Sequence, residues 1–554
     1  MRRLLIPLLL PVVIAAAAPE HAAAAPTGRL LVTLAPTSAG QPVGRAAAAG
    51  LAARSQARLA GPRVPQLNLV TVRPRAGASL TRVAEALRAQ PGVARVEPEQ
   101  RAELRIVPDD PALTVQEPAA GTPAGTPVQW WAARTGLFAA WDVPQVRDAT
   151  VAVIDTGIDA GHPDLAGRVA GAVDQDDLGG RGPATVDENG HGTHVASMAC
   201  AVADNAIGLA GAGYGCRLLV YKSDLTDSSV AASIVQATDA GADAINMSFG
   251  TDGESPVSSG VARAIAYAYR RDVILVSAAA DTPIERQGYP SDALQPTGSG
   301  ADLAAGLGLS VTAANAADRR ATFAGFGSQI SLAAYGAWNT GSGGPRGLFG
   351  ALPAQTTELE TGSVAPPLAP CACRASFAGD ARWAYIQGTS MASPVVAATA
   401  AMVRELNPDL SAAEVIRMLK VTARRPPGTG WGPDLGWGIL DAGAAVGAAR
   451  LADRRPPATR VRVLPPRSRT LTLRLVGEDA APSGVVASGI ASFDVYRAVD
   501  GRRPTRVARS KTRTVRLRAR RGARYAFWAV ATDRAGNRER RPATPDAQIR
   551  LATG

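Results

Sequence analysis

The sequence predicts an α/β protein in three folded parts: a three-layer domain on a parallel sheet, a small α+β unit before it, and an all-β sandwich after it. Three observations lead there. Between about Val128 and Ala449, short apolar runs alternate with Ala-rich helical stretches, and the runs lack the polar alternation of half-exposed strands. Residues 28–107 compress a similar alternation into a much shorter span. After residue 454 the pattern changes to apolar and polar residues taking turns, with turn-forming residues between the runs. The 554 residues exceed what one hydrophobic core serves, so several domains are expected. With 46% hydrophobic and 19% charged residues and no collagen-like glycine period, neither a disordered chain nor a fibre fits.

The first 25 residues, MRRLLIPLLLPVVIAAAAPEHAAAA, have a basic start at Arg2 and Arg3, an apolar run from Leu4 to Ala18, and small residues at Ala23 to Ala25. That is the pattern of a secretory signal peptide, since the run is too short to span a bilayer. No later segment is long and apolar enough to cross a membrane. A secreted, extracellular protein that leaves the membrane after signal cleavage is therefore expected. Its four cysteines would then be paired. Cys200 and Cys216 are close enough in sequence to join, and Cys371 and Cys373 join either each other or the other two; four cysteines allow three connectivities.

Residues 26–107 read as a small domain with RLLVTLA, NLVTVRP and VARVEPEQR as strands and two helix-like stretches between them. Residues 108–127, rich in Pro, Gly and Thr, have the composition of an exposed linker. Residues 128–450 form the parallel-sheet domain, with strands expected at Val151 to Ile154, Arg217 to Tyr221, Ala244 to Met247 and Val273 to Ser277. In such a sheet a site is expected at the carboxyl ends of the strands. Residues 458–554 contain TLTLRLV, SFDVYRAV, TVRLRAR and YAFWAVATD, spaced as in an immunoglobulin-like sandwich. From residue 454 on there are 24 Lys plus Arg against 7 Asp plus Glu, so the chain's net charge of +12 belongs to this tail. A polyanion is one conceivable partner, but Arg alternating with Val or Leu is also what a solvated strand face looks like. No nucleic acid is expected.

Only four histidines exist, and His21 lies in the signal segment, so an imidazole base must be His162, His191 or His194. VAVIDTGID ends a buried strand on Asp155, where an acid is costly without a partner. NGHGTHVASMA starts a helix at His191, and GTSMASPVVAATAAMV starts another at Ser390, with Pro394 early in it. Free N–H groups at that helix start would face an anion. A nucleophilic serine needs a base for its proton and a buried acid to hold that base in the right tautomer. Asp155, His191 and Ser390 can fill those roles.

These three segments resemble those of the subtilisin-type serine proteases, the S8 or subtilase family, over roughly residues 128–449. The chain order Asp, His, Ser is that of subtilisin. The resemblance implies a subtilisin-like fold and a serine endopeptidase acting on protein or peptide substrates. It also implies a proenzyme whose domain at 26–107 acts as an intramolecular inhibitor, and a monomeric enzyme. INMSFG, ending at Gly250, is similar to the segment that pairs with the substrate backbone, so Ser248 and Gly250 are the candidate substrate-binding residues. His194, one turn from His191 with no Glu between them, and His162 are read as structural. No metal ligand set is assigned and no cofactor is expected with certainty. DQDDLGG, beginning at Asp174, and Asp164 are oxygen-rich enough to keep calcium open, as in loops of many relatives.

One position departs from the family. The strand in ILVSAAADTP leads to Asp281, where the family pattern has an asparagine whose amide donates to the oxyanion. An ionised carboxylate cannot donate and repels a developing negative oxygen. Either Asp281 is held protonated and serves in the oxyanion hole, or another donor or the Ser390 N–H carries it. The alternative is a catalytically impaired binding protein on the same fold.

Overall fold

The computed structural model describes residues 26–35, 43–75, 77–100, 107–143, 146–175, 182–251, 253, 257–363, 369–426, 429–465, 470–482 and 485–552. The signal segment 1–25 and most of DQDDLGG lie outside the described residues. The chain falls into two units, Met1–Arg105 and Ile106–Gly554.

In the first unit four antiparallel strands lie in the order Ala57–Val64, Leu69–Pro74, Pro26–Leu34, Val93–Gln100. Helices Arg45–Arg54 and Leu80–Arg88 bury Ala48, Leu51, Val83 and Leu87 with Leu30, Val32, Val70, Val72 and Val96 in one core. Strand Ala57–Val64 was not expected. Its pairing is interrupted between Leu59 and Arg63, around Gly61 and Pro62, so the sequence lacks a clean two-residue period. A proline is tolerated there because the strand is at the sheet edge.

In the second unit seven strands form a parallel sheet in the order Leu332–Tyr335, Leu309–Ala314, Ile274–Ala278, Ala244–Met247, Thr150–Asp155, Arg217–Ser223, Val169–Gln175. The first strand in sequence, Thr150–Asp155, lies between two later ones. Chain connections therefore leave it in opposite directions and open a crevice at its carboxyl end. One face is covered by helices His191–Cys200, Thr389–Leu406, Ala412–Thr422 and Ala442–Leu451, the other by Asp227–Asp239 and Ser259–Arg270. Burial from both sides explains why Thr150–Asp155 and Ile274–Ala278 have no exposed position.

Residues 108–127 depart from the expected linker. Asp110, Ala112, Leu113 and Glu117 are buried, Ala112 N donates to Gly208 O at 2.9 Å, and Tyr385 OH donates to Glu117 Oε2 at 2.8 Å. Composition alone could not show that a Pro-rich segment has found partners for its polar groups. Cys200 is bonded to Cys216 and Cys371 to Cys373. After residue 457 two antiparallel sheets, one of three strands and one of four, share a core of Val461, Leu473, Leu475, Phe493, Val495, Val515 and Phe527. In strand Thr470–Glu478, Leu471, Leu473 and Leu475 point inward and Arg474 outward, so the arginines decorate a solvated face. No helix among the described residues is long and apolar enough to cross a membrane.

Candidate functional site

The carboxyl end of the central strand places Asp155 in the crevice with only 2% exposure. Its Oδ1 accepts the Thr156 N–H at 2.8 Å and the His191 Nδ1–H at 2.7 Å. With Nδ1 donating to a carboxylate, Nε2 is left as the imidazole's basic atom. Burial pulls the His191 pKa down, but the Asp155 charge and hydrogen bond, with the charges of Asp187 and Asp281, outweigh it and hold His191 above its ordinary value.

The orientation of His191 depends on the start of its helix. Asp187 Oδ1 accepts from Thr156 Oγ1, Asn189 N and Gly190 N, and Oδ2 accepts from Thr193 N and Oγ1 at 2.8 and 2.7 Å. One carboxylate thus satisfies several donors that a helix start leaves open. Gly190 has φ 94°, and a methyl group on Gly192 would overlap the Gly157 carbonyl, so both positions require glycine. Behind Asp187, the buried Lys222 ammonium holds the loop by donating to Gly182 O, Val186 O and Glu188 Oε2 at 2.6–3.1 Å. The sequence reading missed Asp187; its signal was an acid four residues before His191, at the entrance to a helix.

Ser390 is the second residue of helix Thr389–Leu406 and is half-buried. Pro394 has no N–H for the Ser390 carbonyl, which accepts instead from Ser248 Oγ at 2.8 Å. Ser393 Oγ donates to Asn246 Oδ1 at 2.7 Å, and Asn246 Nδ2 donates to Ser248 Oγ at 2.9 Å. This buried chain fixes the first helical turn to the end of strand Ala244–Met247. The Ser390 hydroxyl donates to Ser248 O at 3.0 Å, so its single proton is directed there and not at His191. Ser248 is 2% exposed and faces Ser390 itself; of the two expected substrate-binding residues only Gly250 is open to solvent.

Asp281 lies three residues beyond strand Ile274–Ala278, at the start of the Ser390 helix. Its Oδ1 accepts Thr389 N at 2.7 Å and Thr389 Oγ1 at 2.9 Å, and Oδ2 lies against Gly388. The surrounding protein holds its carboxyl above the usual range, against the Thr389 bonds and the His191 charge. The side chain is nonetheless exposed to solvent, so this desolvation is weak.

The other two histidines are engaged elsewhere. His162 accepts Asp164 N at 3.2 Å on Nδ1 and donates from Nε2 to Arg382 O at 2.9 Å. His194 donates from Nε2 to Leu348 O at 3.1 Å, and burial pushes its pKa down to about 3. Asp164 is buried with Asn205 Nδ2 at 2.9 Å and Leu209 N at 3.0 Å, and burial pushes its carboxyl up to about 8. Asp110 lies near enough to raise it further. Asp110 Oδ2 accepts Asp204 N at 2.8 Å while its buried Oδ1 has no partner among the described residues.

A carboxylate-held imidazole and a helix-start serine are the groups that acyl transfer by a serine nucleophile requires. The family model described as the subtilase family matches residues 147–438. Thermitase of Thermoactinomyces vulgaris is 29% identical over 300 residues, covering 52% of this chain and 86% of its own. The thermophilic serine proteinase of Bacillus sp. (strain AK1) is 29% identical over 345 residues, 59% of this chain and 71% of its own. The extracellular protease of Xanthomonas campestris pv. campestris is 30% identical over 403 residues, 66% of this chain and 60% of its own. Because the matched segment spans more than half of the sequence and contains the crevice just described, the chain belongs to the subtilase family and is a serine-type endopeptidase.

Proposed function

We propose that the protein is a secreted, monomeric endopeptidase, made as a proenzyme, in which Asp155, His191 and Ser390 form the catalytic triad. The observation that carries this reading is the 2.7 Å bond from His191 Nδ1 to Asp155 Oδ1, which leaves Nε2 free as a base. In this reading Ser390 Oγ turns from Ser248 O toward Nε2, gives up its proton and attacks the scissile carbonyl. The imidazolium then protonates the leaving amine, and water releases the acyl group by the same route. Asp155 keeps the tautomer and stabilises the imidazolium. The oxyanion receives the Ser390 N–H and, when Asp281 is protonated, a donor from Oδ2. Gly250 offers backbone to an extended peptide.

The proposed domain order is a signal peptide at 1–25, an inhibitory prodomain at 26–107, the catalytic domain to residue 450 and an immunoglobulin-like sandwich at 458–554. The buried residues at 110–117 move the start of the catalytic domain into the segment read as linker, so maturation is proposed to cut before Asp109. Calcium fits the cluster of Asp110, Asp164 and Asn205. It would supply positive charge to two buried carboxylates, one with an unpartnered oxygen.

A fluorophosphonate probe tests the central claim. Labelling of wild type at Ser390, absent from His191→Ala, is the expected result. A folded wild type that the probe leaves untouched would favour a binding protein disabled at Asp281. In Ser390→Ala, kcat should fall by about 10⁶-fold, the loss seen when such a triad lacks its serine.

A further inference from the structure

The four-stranded sheet of the C-terminal sandwich has the order Thr505–Ser510, Ile490–Val499, Arg524–Asp533, Ala547–Arg550. Tyr525, Phe527 and Ala529 lie in the core, so by the two-residue period of a strand Arg524, Ala526 and Trp528 face outward. Pairing across the strands sets Tyr496 opposite Trp528, Ala498 opposite Ala526 with Gln548 on its other side, and Arg524 opposite Arg550. The small alanines leave a hollow, walled by the segments that carry Arg502 and Arg541. The result is a cleft of about 830 Å³, within the range of about 300–1,000 Å³ that ligand pockets occupy.

The charges around this cleft do not cancel. Like charges directly opposite one another on paired strands repel, and Arg524 and Arg550 are such a pair. Arg502 and Arg541 line the same cleft, and among the described residues none of these four arginines has a carboxylate partner. The acid among the lining residues, Asp500, is already engaged: its Oδ2 accepts from Arg520 Nη2 at 3.0 Å and its Oδ1 from Arg524 N at 2.8 Å. Elsewhere on the sheet arginines are answered, since Asp494 holds Arg538 at 2.7 Å with Arg506 at 3.6 Å. Arg541 lies instead over the rings of Tyr496 and Trp528, at 5.3 and 5.9 Å. Trp528 is only 7% exposed, and its indole N–H has no acceptor among the described residues. Uncompensated guanidinium donors around one hollow suit an anion that presents oxygens.

We propose that this cleft binds a polysaccharide whose sugar rings carry carboxylates, and that the sandwich thereby holds the protease on it. Each guanidinium fork matches a carboxylate with two parallel hydrogen bonds. The exposed Gln548 side chain supplies an amide to ring hydroxyls, and Ala498 and Ala526 give the rings an apolar floor. Single-stranded nucleic acid fits less well, because base stacking needs a bare aromatic face and Arg541 lies over both rings. An acidic peptide is also disfavoured: an extended chain pairs with the edge of a sheet, whereas this cleft lies on a sheet face.

The test uses the full chain carrying Ser390→Ala, so that it does not digest itself, passed over immobilised polygalacturonate. This chain should bind and should be released as salt is raised. Adding Arg524→Gln and Arg550→Gln together should weaken binding about tenfold, the loss expected from two exposed charge pairs. Adding Arg474→Gln and Arg516→Gln instead removes the same charge from exposed positions of the three-stranded sheet and should leave binding unchanged. All four side chains are exposed, so both variants keep the fold. Absence of binding to polygalacturonate, or equal losses in the two variants, overturns the site. So does binding of poly-L-glutamate or of a thymidine oligonucleotide as tight as that of polygalacturonate, which would mean that charge alone is read.

Discussion

Asp281 Oδ1 accepts both the amide and the hydroxyl of Thr389, while its second oxygen lies against Gly388, two residues before Ser390. An asparagine there can keep both Thr389 bonds on its oxygen and place an NH₂ donor where Oδ2 now lies.

The first prediction follows from that exchange. The Asp281 carboxyl is held above its ordinary range, so below its folded pKa it is neutral and can donate, while above it the charge opposes the oxyanion. The ratio of wild-type to Asp281→Asn kcat should therefore fall as pH rises. At alkaline pH the variant should gain up to about 10²–10³-fold, the value of one oxyanion donor measured in subtilisin. A ratio independent of pH, measured on a peptide substrate, would exclude the protonated donor. The stability sign agrees: with a raised folded pKa the unfolded chain loses its proton first, so wild type loses stability relative to the variant as pH climbs from the ordinary carboxylate value.

Asp155→Asn should lower kcat by about 10⁴-fold, because the imidazole loses both its tautomer and its counter-charge. The His191 pKa, raised chiefly by Asp155 against burial, should drop, moving the acid limb of the kcat/KM profile to lower pH. Steady-state rates across pH check both at once.

Asp187→Ala should cost about 2–4 kcal/mol of stability, since it leaves the Gly190 and Thr193 amides and two hydroxyls without their acceptor. Thermal unfolding measures that. If Asp187 also sets the pose of His191, kcat should fall with little change in KM, and the variant's acid limb should shift downward because one negative charge near the imidazole is gone.

Replacing Cys200 and Cys216 with serine should cost about 3 kcal/mol, because that bridge closes a loop of 16 residues. The same change at Cys371 and Cys373, two residues apart, closes almost no loop and should leave the midpoint of denaturant unfolding nearly unchanged.

Elements whose meaning is local were legible in the sequence. The strand ending at Asp155, the helix starts at His191 and Ser390 and the buried run before Asp281 are each set by burial and end-capping within a few residues, so their residue types reveal them. The missed strand Ala57–Val64 has no such signature, because an edge strand broken around Gly61 and Pro62 is defined by its neighbour.

What the amino acids alone determined was therefore the chemistry on offer: which acid, which imidazole, which hydroxyl, and an acid in place of an amide. The fold decided which groups meet. It turned the Ser390 hydroxyl to Ser248, gave Asp187 five donors, buried Glu117 under Tyr385 and gathered Asp453, Asp479 and Asp533 from positions far apart in the chain. Such meetings depend on long-range packing and on where water is excluded, and neither is written in any short stretch of sequence.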